Sequence, residues 1–445
     1  MTTYTCELAW LPPGRVAREV RVEVQGGRIT AVSEDAGQVT GPPGERLPGL
    51  VLPGLANAHS HAFHRALRGR THDPSQGTFW SWREQMYAVA ARLDPDTYHE
   101  LARATFAEMA LAGVTCVGEF HYLHHGPDGT PYEDPNEMGL AVVEAAREAG
   151  IRVALLDCCY LTGGIGVPLE GVQRRFGDGD VQRWAARVDD LATSVTGEDV
   201  VVAAAVHSVR AVPRDQLAEV GSWSHTAPLH AHVSEQAEEN EQCHLAYGVS
   251  PTQLLRDQGL LGPRTTAVHA THLDDDDVSL LGGASTYVCM CPTTERDLGD
   301  GIGPARWLRD AGSPLSLGSD SHAVIDLLEE ARTLELDERL ATGLRGHWGT
   351  AELLDAATAA GHASLGFPDA GRLEVGARAD LVAVRLDSVR TAGGAPDDAA
   401  TRVVFAAAAC DVTDVVASGR RVVSGGRHVL GDVGRLLADA VAAVT

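Results

Sequence analysis

Eight short apolar runs, each followed by a stretch with helical spacing, fill the middle of the chain, and this rhythm restricts the fold more than any other feature. They are "GLANA" ending before His59, "GVTCVGEF" (Gly113 to Phe120), "IRVALLD" (Ile151 to Asp157), "VVVAAAV" (Val200 to Val206), "APLHAHV" (Ala227 to Val233), "TTAVHA" (Thr265 to Ala270), "STYVCMC" (Ser285 to Cys291) and "SPLSLGSD" (Ser313 to Asp320). Runs that are apolar at nearly every position belong to strands covered on both faces, and strands that alternate with helices form parallel sheets. The intervening "EDPNEMGLAVVEAAREAG" carries helix signals, Asp134-Pro135 at its start and Gly150 at its stop. Eight such units between Gly54 and Asp320 fit a (β/α)8 TIM barrel, whose usual length is about 250 residues. An open doubly wound sheet is the alternative, but no G-x-G-x-x-G follows the first strand.

The two ends of the chain follow another pattern. "VRVEV" (Val20 to Val24) and "GGRITAV" (Gly26 to Val32) alternate as strands do, with Gly26-Gly27 as a hairpin turn. At the far end "GARADLVAVRLD" (Gly376 to Asp387) and "DVVASGRRVVSGGR" (Asp414 to Arg427) read as short antiparallel strands with a second Gly-Gly turn. The matched ends predict that residues 1–52 and 368–445 pair into one small sheet domain, beside a separate body of residues 53–367.

A formal net charge of −25 argues against a nucleic-acid or anionic-membrane surface, because either needs a local basic patch and none is present. Every basic side chain other than histidine is arginine; the chain contains no lysine. That excludes a Schiff-base lysine, a P-loop lysine and a carboxylated lysine bridging two metals. Among the eight cysteines no C-x-x-C pair suggests structural zinc, so buried free thiols are expected. The opening stretch lacks a basic region followed by an apolar one, and no apolar run approaches the ~20 residues of a membrane helix. A cytoplasmic enzyme is expected.

In a (β/α)8 barrel, chemistry sits where the strands end at their C-terminal face. Here strand one ends in His59 and His61; strand two in Glu119, His121 and Tyr122; strand four in His207 and Arg210. Strand five ends in His230, His232 and Glu235, strand six in His269 with His272 behind it, and strand eight in Asp320 and His322. Residues i and i+2 of a strand face the same way, so His59 and His61 can grip one ion. A third imidazole from strand five and a carboxylate from strand eight would complete the nitrogen and oxygen set of catalytic zinc, with one position left for water. On strand five, His232 lies nearer the mouth, and His230 packs in the layer beneath. On strand six, His269 is the functional candidate and His272 a surface or capping residue. One ion is expected, since neither a lysine nor an acid in "VVVAAAVHSVR" is available to bridge two. Such ligands suit zinc, and also iron or manganese.

Taken together, H-x-H on strand one, "HAHVSE", "HATH", "GSDSH" and the terminal "GARADLVAV" resemble the amidohydrolase superfamily in its single-metal deaminase branch. Within it, "NAHSHAFHRALRG", "TFWSWREQMY" (Thr78 to Tyr87) and "EFHYLHH" (Glu119 to His125) look like the formimidoylglutamate deiminases of histidine breakdown. The resemblance covers nearly the whole chain, and it implies that the flanking strands, residues 1–52 and 368–445, form a small β-sandwich domain beside a catalytic (β/α)8 barrel of residues 53–367. It implies metal ligands His59, His61, His232 and Asp320, catalytic groups Glu235, His269 and Asp320, and substrate contacts from Arg83, Tyr122, His207 and Arg210. His64 stands where that family pattern has glutamine: a neutral imidazole would donate one hydrogen bond to a substrate carboxylate, a protonated one would pair with it. The implied reaction is hydrolysis of N-formimidoyl-L-glutamate to N-formyl-L-glutamate and ammonia by a homodimer acting on a small dicarboxylate. A deaminase of a purine, pyrimidine or related heterocycle is the alternative, and a catalytically dead scaffold would have lost a ligand. Trp80 and Trp82 are expected to pack in a helix, and His124 and His125 to lie in a loop.

Overall fold

The computed structural model describes residues 1–34, 44–72 and 79–445. Four strands open the chain: β1 (Thr2–Leu11), β2 (Arg15–Gln25), β3 (Arg28–Ser33) and β4 (Glu45–Pro53). Eight more follow, β5 (Leu55–Ser60), β6 (Val114–His121), β7 (Arg152–Cys159), β8 (Val200–Val206), β9 (Leu229–Val233), β10 (Thr265–His269), β11 (Tyr287–Met290) and β12 (Leu315–Leu317), each at one of the eight apolar runs. Late in the chain come β13 (Leu381–Val384), β14 (Val412–Ala417), β15 (Arg420–Ser424) and β16 (Arg427–His428).

Strands β5 to β12 are parallel and paired strictly in chain order, the arrangement that consecutive βα units produce. β5, β6 and β7 are buried at every residue, as strands walled by helices outside and packed inward must be. The sheet closes into a barrel where β5 meets the end of β12: Ser60 bridges Asp320, the Asp320 amide donates to the His59 carbonyl at 3.0 Å and the His61 amide to the Asp320 carbonyl at 3.3 Å. The closure seam therefore carries both ends of the H-x-H pair and the aspartate of "GSDSH".

The chain ends share a second, mixed eight-stranded sheet in the order β16-β15-β14-β13-β4-β1-β2-β3. Gly26 and Gly27, both at positive φ, make the expected two-residue hairpin between β2 and β3, and Gly425-Gly426 repeat it between β15 and β16. β4 joins the two halves by pairing parallel to β1 and antiparallel to β13. Gly49 makes that approach possible, since a Cβ there would lie 2.1 Å from the Val384 carbonyl oxygen. Its Pro48-Gly49 pair hides this strand from a sequence pattern search. The far end is not all strand: helices Ala399–Ala406 and Val433–Val444 return to pack on barrel helices, the second against Pro95–Leu111. A buried ion pair ties barrel to sheet, with Arg152 of β7 holding both oxygens of Asp380 and the Ser418 hydroxyl. Among the described residues no helix is long and apolar enough to cross a membrane. Seven cysteines are buried as free thiols, while Cys410 departs from expectation by being exposed.

Candidate active site and metal centre

Barrel closure brings the four expected ligands to one point. His59 Nε2 lies 3.3 Å and His61 Nε2 3.4 Å from Asp320 Oδ1, and His232 Nε2 lies 3.1 Å from His59 Nε2. The other ring nitrogens explain this inward aim: His61 Nδ1 meets the Phe120 carbonyl at 3.0 Å and His232 Nδ1 the His207 carbonyl at 2.8 Å. A carbonyl only accepts, so both Nδ1 atoms carry the proton and both Nε2 lone pairs face the cluster. Burial holds all three imidazoles below their ordinary pKa, hence neutral, the form that ligates a metal. Converging lone pairs beside a buried carboxylate repel one another unless a cation lies among them. His59, His61 and His232 lie close enough to share one ion, with Asp320 against two of them, and three imidazoles with one carboxylate suit a divalent ion of the zinc type with an open coordination position. Asp320 and His269 sit at φ 40° and 66° without being glycine, local strain of the kind that gathers at functional sites.

Next to this cluster stand the expected acid–base groups. His269 Nε2 is 3.8 Å from Glu235 Oε1 and 3.9 Å from Asp320 Oδ2, while its Nδ1 faces Glu295 Oε1 at 3.4 Å. Glu295 is itself fixed by the Cys291 amide at 2.9 Å. Burial opposes charge on His269, but Glu235, Glu295 and Asp320 outweigh it and push its pKa well above the ordinary histidine value. Burial likewise pushes the Glu235 carboxyl up, against the pull of His269 and Arg210. A carboxyl moved toward neutrality suits proton transfer near pH 7.

A cavity of about 700 Å³, counting its open mouth, lies above this cluster. His61, His64, Arg83, Tyr122, His207, Arg210, His232, Glu235, His269 and Asp320 all line it; His59 is buried behind them. Every expected site residue is thus in or directly beneath one cavity. His64 Nε2 is 2.9 Å from the Tyr122 hydroxyl, and burial pushes its pKa down to about 3, so the neutral one of the two expected forms is present.

Other strand-end residues do different work. Glu119 turns away from the cavity to accept from the Ser60 hydroxyl and the Ala62 amide at 2.6 Å each, bracing the backbone either side of His61, and burial pushes its carboxyl up to about 8. His322 spans the closure seam from Ser60 Oγ (3.1 Å) to Ser319 Oγ (3.0 Å). His121 faces outward beside His124 and Asp157, with its ring stacked on Tyr98. His124 and His125 do lie in a loop, but a buried one, bonded to the Cys158 carbonyl and to Asp178. His230 packs beneath the site against the Ser364 carbonyl as expected. His272 is half-buried, and Asp274 rather than His272 caps the following helix. The Trp80 side chain lies outside the described residues.

The sequence matches the model of the Amidohydrolase family over residues 50–422. The chain belongs to the amidohydrolase family. It is 37% identical to a formimidoylglutamate deiminase of Pseudomonas aeruginosa, over 96% of each chain. Its fold matches a crystal structure of an amidohydrolase from Brucella melitensis with a TM-score of 0.91 at 35% identity, over 100% of both chains. An adenosine deaminase from Xanthomonas campestris with bound zinc matches with a TM-score of 0.85 at 25% identity, over 99% of this chain and 97% of that one. This amidohydrolase is accordingly an enzyme, a metal-dependent hydrolase of carbon–nitrogen bonds.

Two acids of this amidohydrolase escaped the sequence reading. Glu295 lies in "CPTTERDLGDG", five residues past the end of β11, whose apolar run ends in cysteine and not in histidine or a carboxylate. Glu239, whose Oε2 is 3.3 Å from Arg210 Nε, is one of several glutamates in "EQAEENEQ", and only its burial separates it from the exposed Glu238. Trp82, Tyr87, Tyr160 and Phe176 also line the cavity. Trp82 was expected to pack, and it does so edge-on against His64 while forming part of the wall.

Proposed function

We propose that this protein hydrolyses N-formimidoyl-L-glutamate to N-formyl-L-glutamate and ammonia, a step of histidine breakdown, using one zinc ion held by His59, His61, His232 and Asp320. The reading includes a cytoplasmic homodimer and a division of the chain at 52/53 and 367/368. The observation that carries it is the pair Arg83 and Arg210 in the same cavity as the ligand cluster, in a protein whose net charge is −25. Two guanidinium forks match a substrate with two carboxylates, and an acidic protein needs such cations to admit it. The likeness to the Pseudomonas aeruginosa deiminase supports the same substrate.

An ion in this nest would supply Lewis acidity and a water nucleophile acidified to near neutral pH. The chain's own groups do the rest. Arg83 and Arg210 bind the carboxylates, and His64, Tyr122 and His207 add hydrogen bonds along the cavity wall. Asp320, through Oδ2, takes a proton from the attacking water as its oxygen bonds to the formimino carbon. Glu235 carries that proton to the formimino nitrogen, His269 Nε2 donates a hydrogen bond to the oxygen of the tetrahedral adduct, and the remaining hydroxyl proton passes by the same two carboxylates to that nitrogen as collapse breaks its bond to carbon and frees ammonia.

The aromatic wall of Trp82, Tyr87, Tyr160 and Phe176 favours one second reading, a single-metal aminohydrolase of a purine, pyrimidine or related heterocycle. A ring of that kind offers no carboxylate to the two cavity arginines, which ranks it lower. Ammonia release coupled to glutamate dehydrogenase, run across N-formimidoyl-L-glutamate, guanine, cytosine and adenosine, separates the two. Fast turnover of the first alone is expected, and turnover of a nucleobase instead refutes the reading.

A further inference from the structure

Arg210 is nearly enclosed, and one face of its guanidinium is already engaged. Glu239 Oε2 lies 3.3 Å from Nε, and this carboxylate is 1% exposed, outside the cavity lining, in the first turn of helix Ala237–Tyr247. The helix terminus favours a negative charge there. Glu239 Oε1 is steadied by the Ser234 amide at 3.4 Å, and the next residue along the helix, Asn240, bonds the His272 carbonyl, so the first turn is anchored on two sides. Burial works against the Arg210 charge, and Glu239, followed by Glu235, outweighs it. With Nε facing Glu239, the Nη1/Nη2 end is the part of the guanidinium left to meet a ligand, and it is the end that binds a carboxylate bidentately.

We propose that Glu239 is a positioning residue that sets the Arg210 guanidinium for a carboxylate of the ligand, and so helps to select anionic substrates without touching them. The inference rests on the dicarboxylate reading above and assigns a function to a side chain that the reading leaves unused. A rival structural role also exists: through Ser234, Glu239 could hold the Glu235 loop. The two roles differ in what they move. Misplacing Arg210 weakens ligand binding and raises KM, while disturbing Glu235 lowers kcat.

A double-mutant cycle on the zinc-loaded protein tests this. The probe is N-acetyl-L-glutamate, which keeps both carboxylates and lacks the nitrogen that leaves; its Kd is read by calorimetry beside KM and kcat for N-formimidoyl-L-glutamate. Glu239→Leu is expected to raise Kd and KM about 10-fold with kcat within about two-fold, the size of coupling found between residues of one ion-pair network. In the Arg210→Met background the same change is expected to alter Kd less than two-fold. Glu239→Gln, isosteric but uncharged, loses the ion pair with Arg210 and should lose most of the same affinity, so it carries the cycle if the leucine variant does not fold. Equal effects of the Glu239 change with and without Arg210, or a loss confined to kcat, overturn the inference and leave the substrate reading intact. A wild-type protein that neither binds N-acetyl-L-glutamate nor hydrolyses N-formimidoyl-L-glutamate overturns both.

Discussion

Replacing Glu295 by glutamine removes one charge behind His269 and leaves the shape of the site nearly unchanged. In the wild type a single carboxylate oxygen receives two donors, the Cys291 amide at 2.9 Å and His269 Nδ1 at 3.4 Å. The first anchors the acid; the second turns His269 so that Nε2 points between Glu235 and Asp320, 3.8 and 3.9 Å away. Hydrogen bonds to charged groups contribute about 1.5–3 kcal/mol. At 3.4 Å this one belongs at the lower end, so about 1.5 kcal/mol of support for His269 is lost in Glu295→Gln. If His269 acts on the adduct and not on bound substrate, the whole of that appears in kcat, a fall of roughly 10-fold with KM unchanged within about two-fold. Glu295→Asp keeps the charge but shortens the reach by one methylene, and should fall between the two. The assay is steady-state ammonia release with zinc content checked for each variant. A kcat within two-fold of wild type, or a KM that rises as much as kcat falls, refutes the claim that Glu295 acts through His269.

Elemental analysis should find about one divalent ion per chain, bound without any lysine; two would defeat the inference from the absent bridging group. Arg83→Met should raise KM for N-formimidoyl-L-glutamate about 30–150-fold through loss of a bidentate charged contact of about 2–3 kcal/mol, measured by initial rates. Asp380→Asn strands the buried Arg152 charge and should cost about 3–5 kcal/mol, visible by calorimetry as a drop in Tm of roughly 3–5 °C in a chain of 445 residues unfolding cooperatively. Stability should also fall in acid through Asp157 and Asp178, which share Arg187 and have His121, His124 and His125 as neighbours. Burial raises both carboxyls, but Arg187, with the histidines, holds both below the usual aspartate range. Their contribution is therefore complete above the unfolded value near pH 4 and is lost as pH falls below it. Denaturant midpoints for wild type and Arg187→Met measured between pH 7 and 3 should converge as the pH drops; parallel curves contradict this.

The barrel was legible because burial on both faces demands uninterrupted apolar strands, and no other common element leaves that trace eight times over with helices between. The cluster at the barrel mouth was legible for a related reason: a polar group at the end of a buried strand stands out against it, and His59, His61, His232, His269 and Asp320 all follow apolar runs. The same logic shows why it also selected Glu119, His121 and His322. Sequence gives the end of a strand but not the direction of its last side chain, and one step of the pleat sends Glu119 behind His61 instead of into the cavity. Glu239 and Glu295 fail the pattern from the other side, since they lie on helices that start after the strand end, where glutamates are common on solvated turns. What makes each of them part of the site is burial against one cation or one imidazole, a property of the folded mouth that no local spacing encodes. Residues of the clustered imidazoles and carboxylate could thus be found from strand ends, whereas those buried against Arg210 and His269 required coordinates, which is why the cycle on Glu239 and the charge removal at Glu295 probe the part of the proposed site that the sequence left hidden.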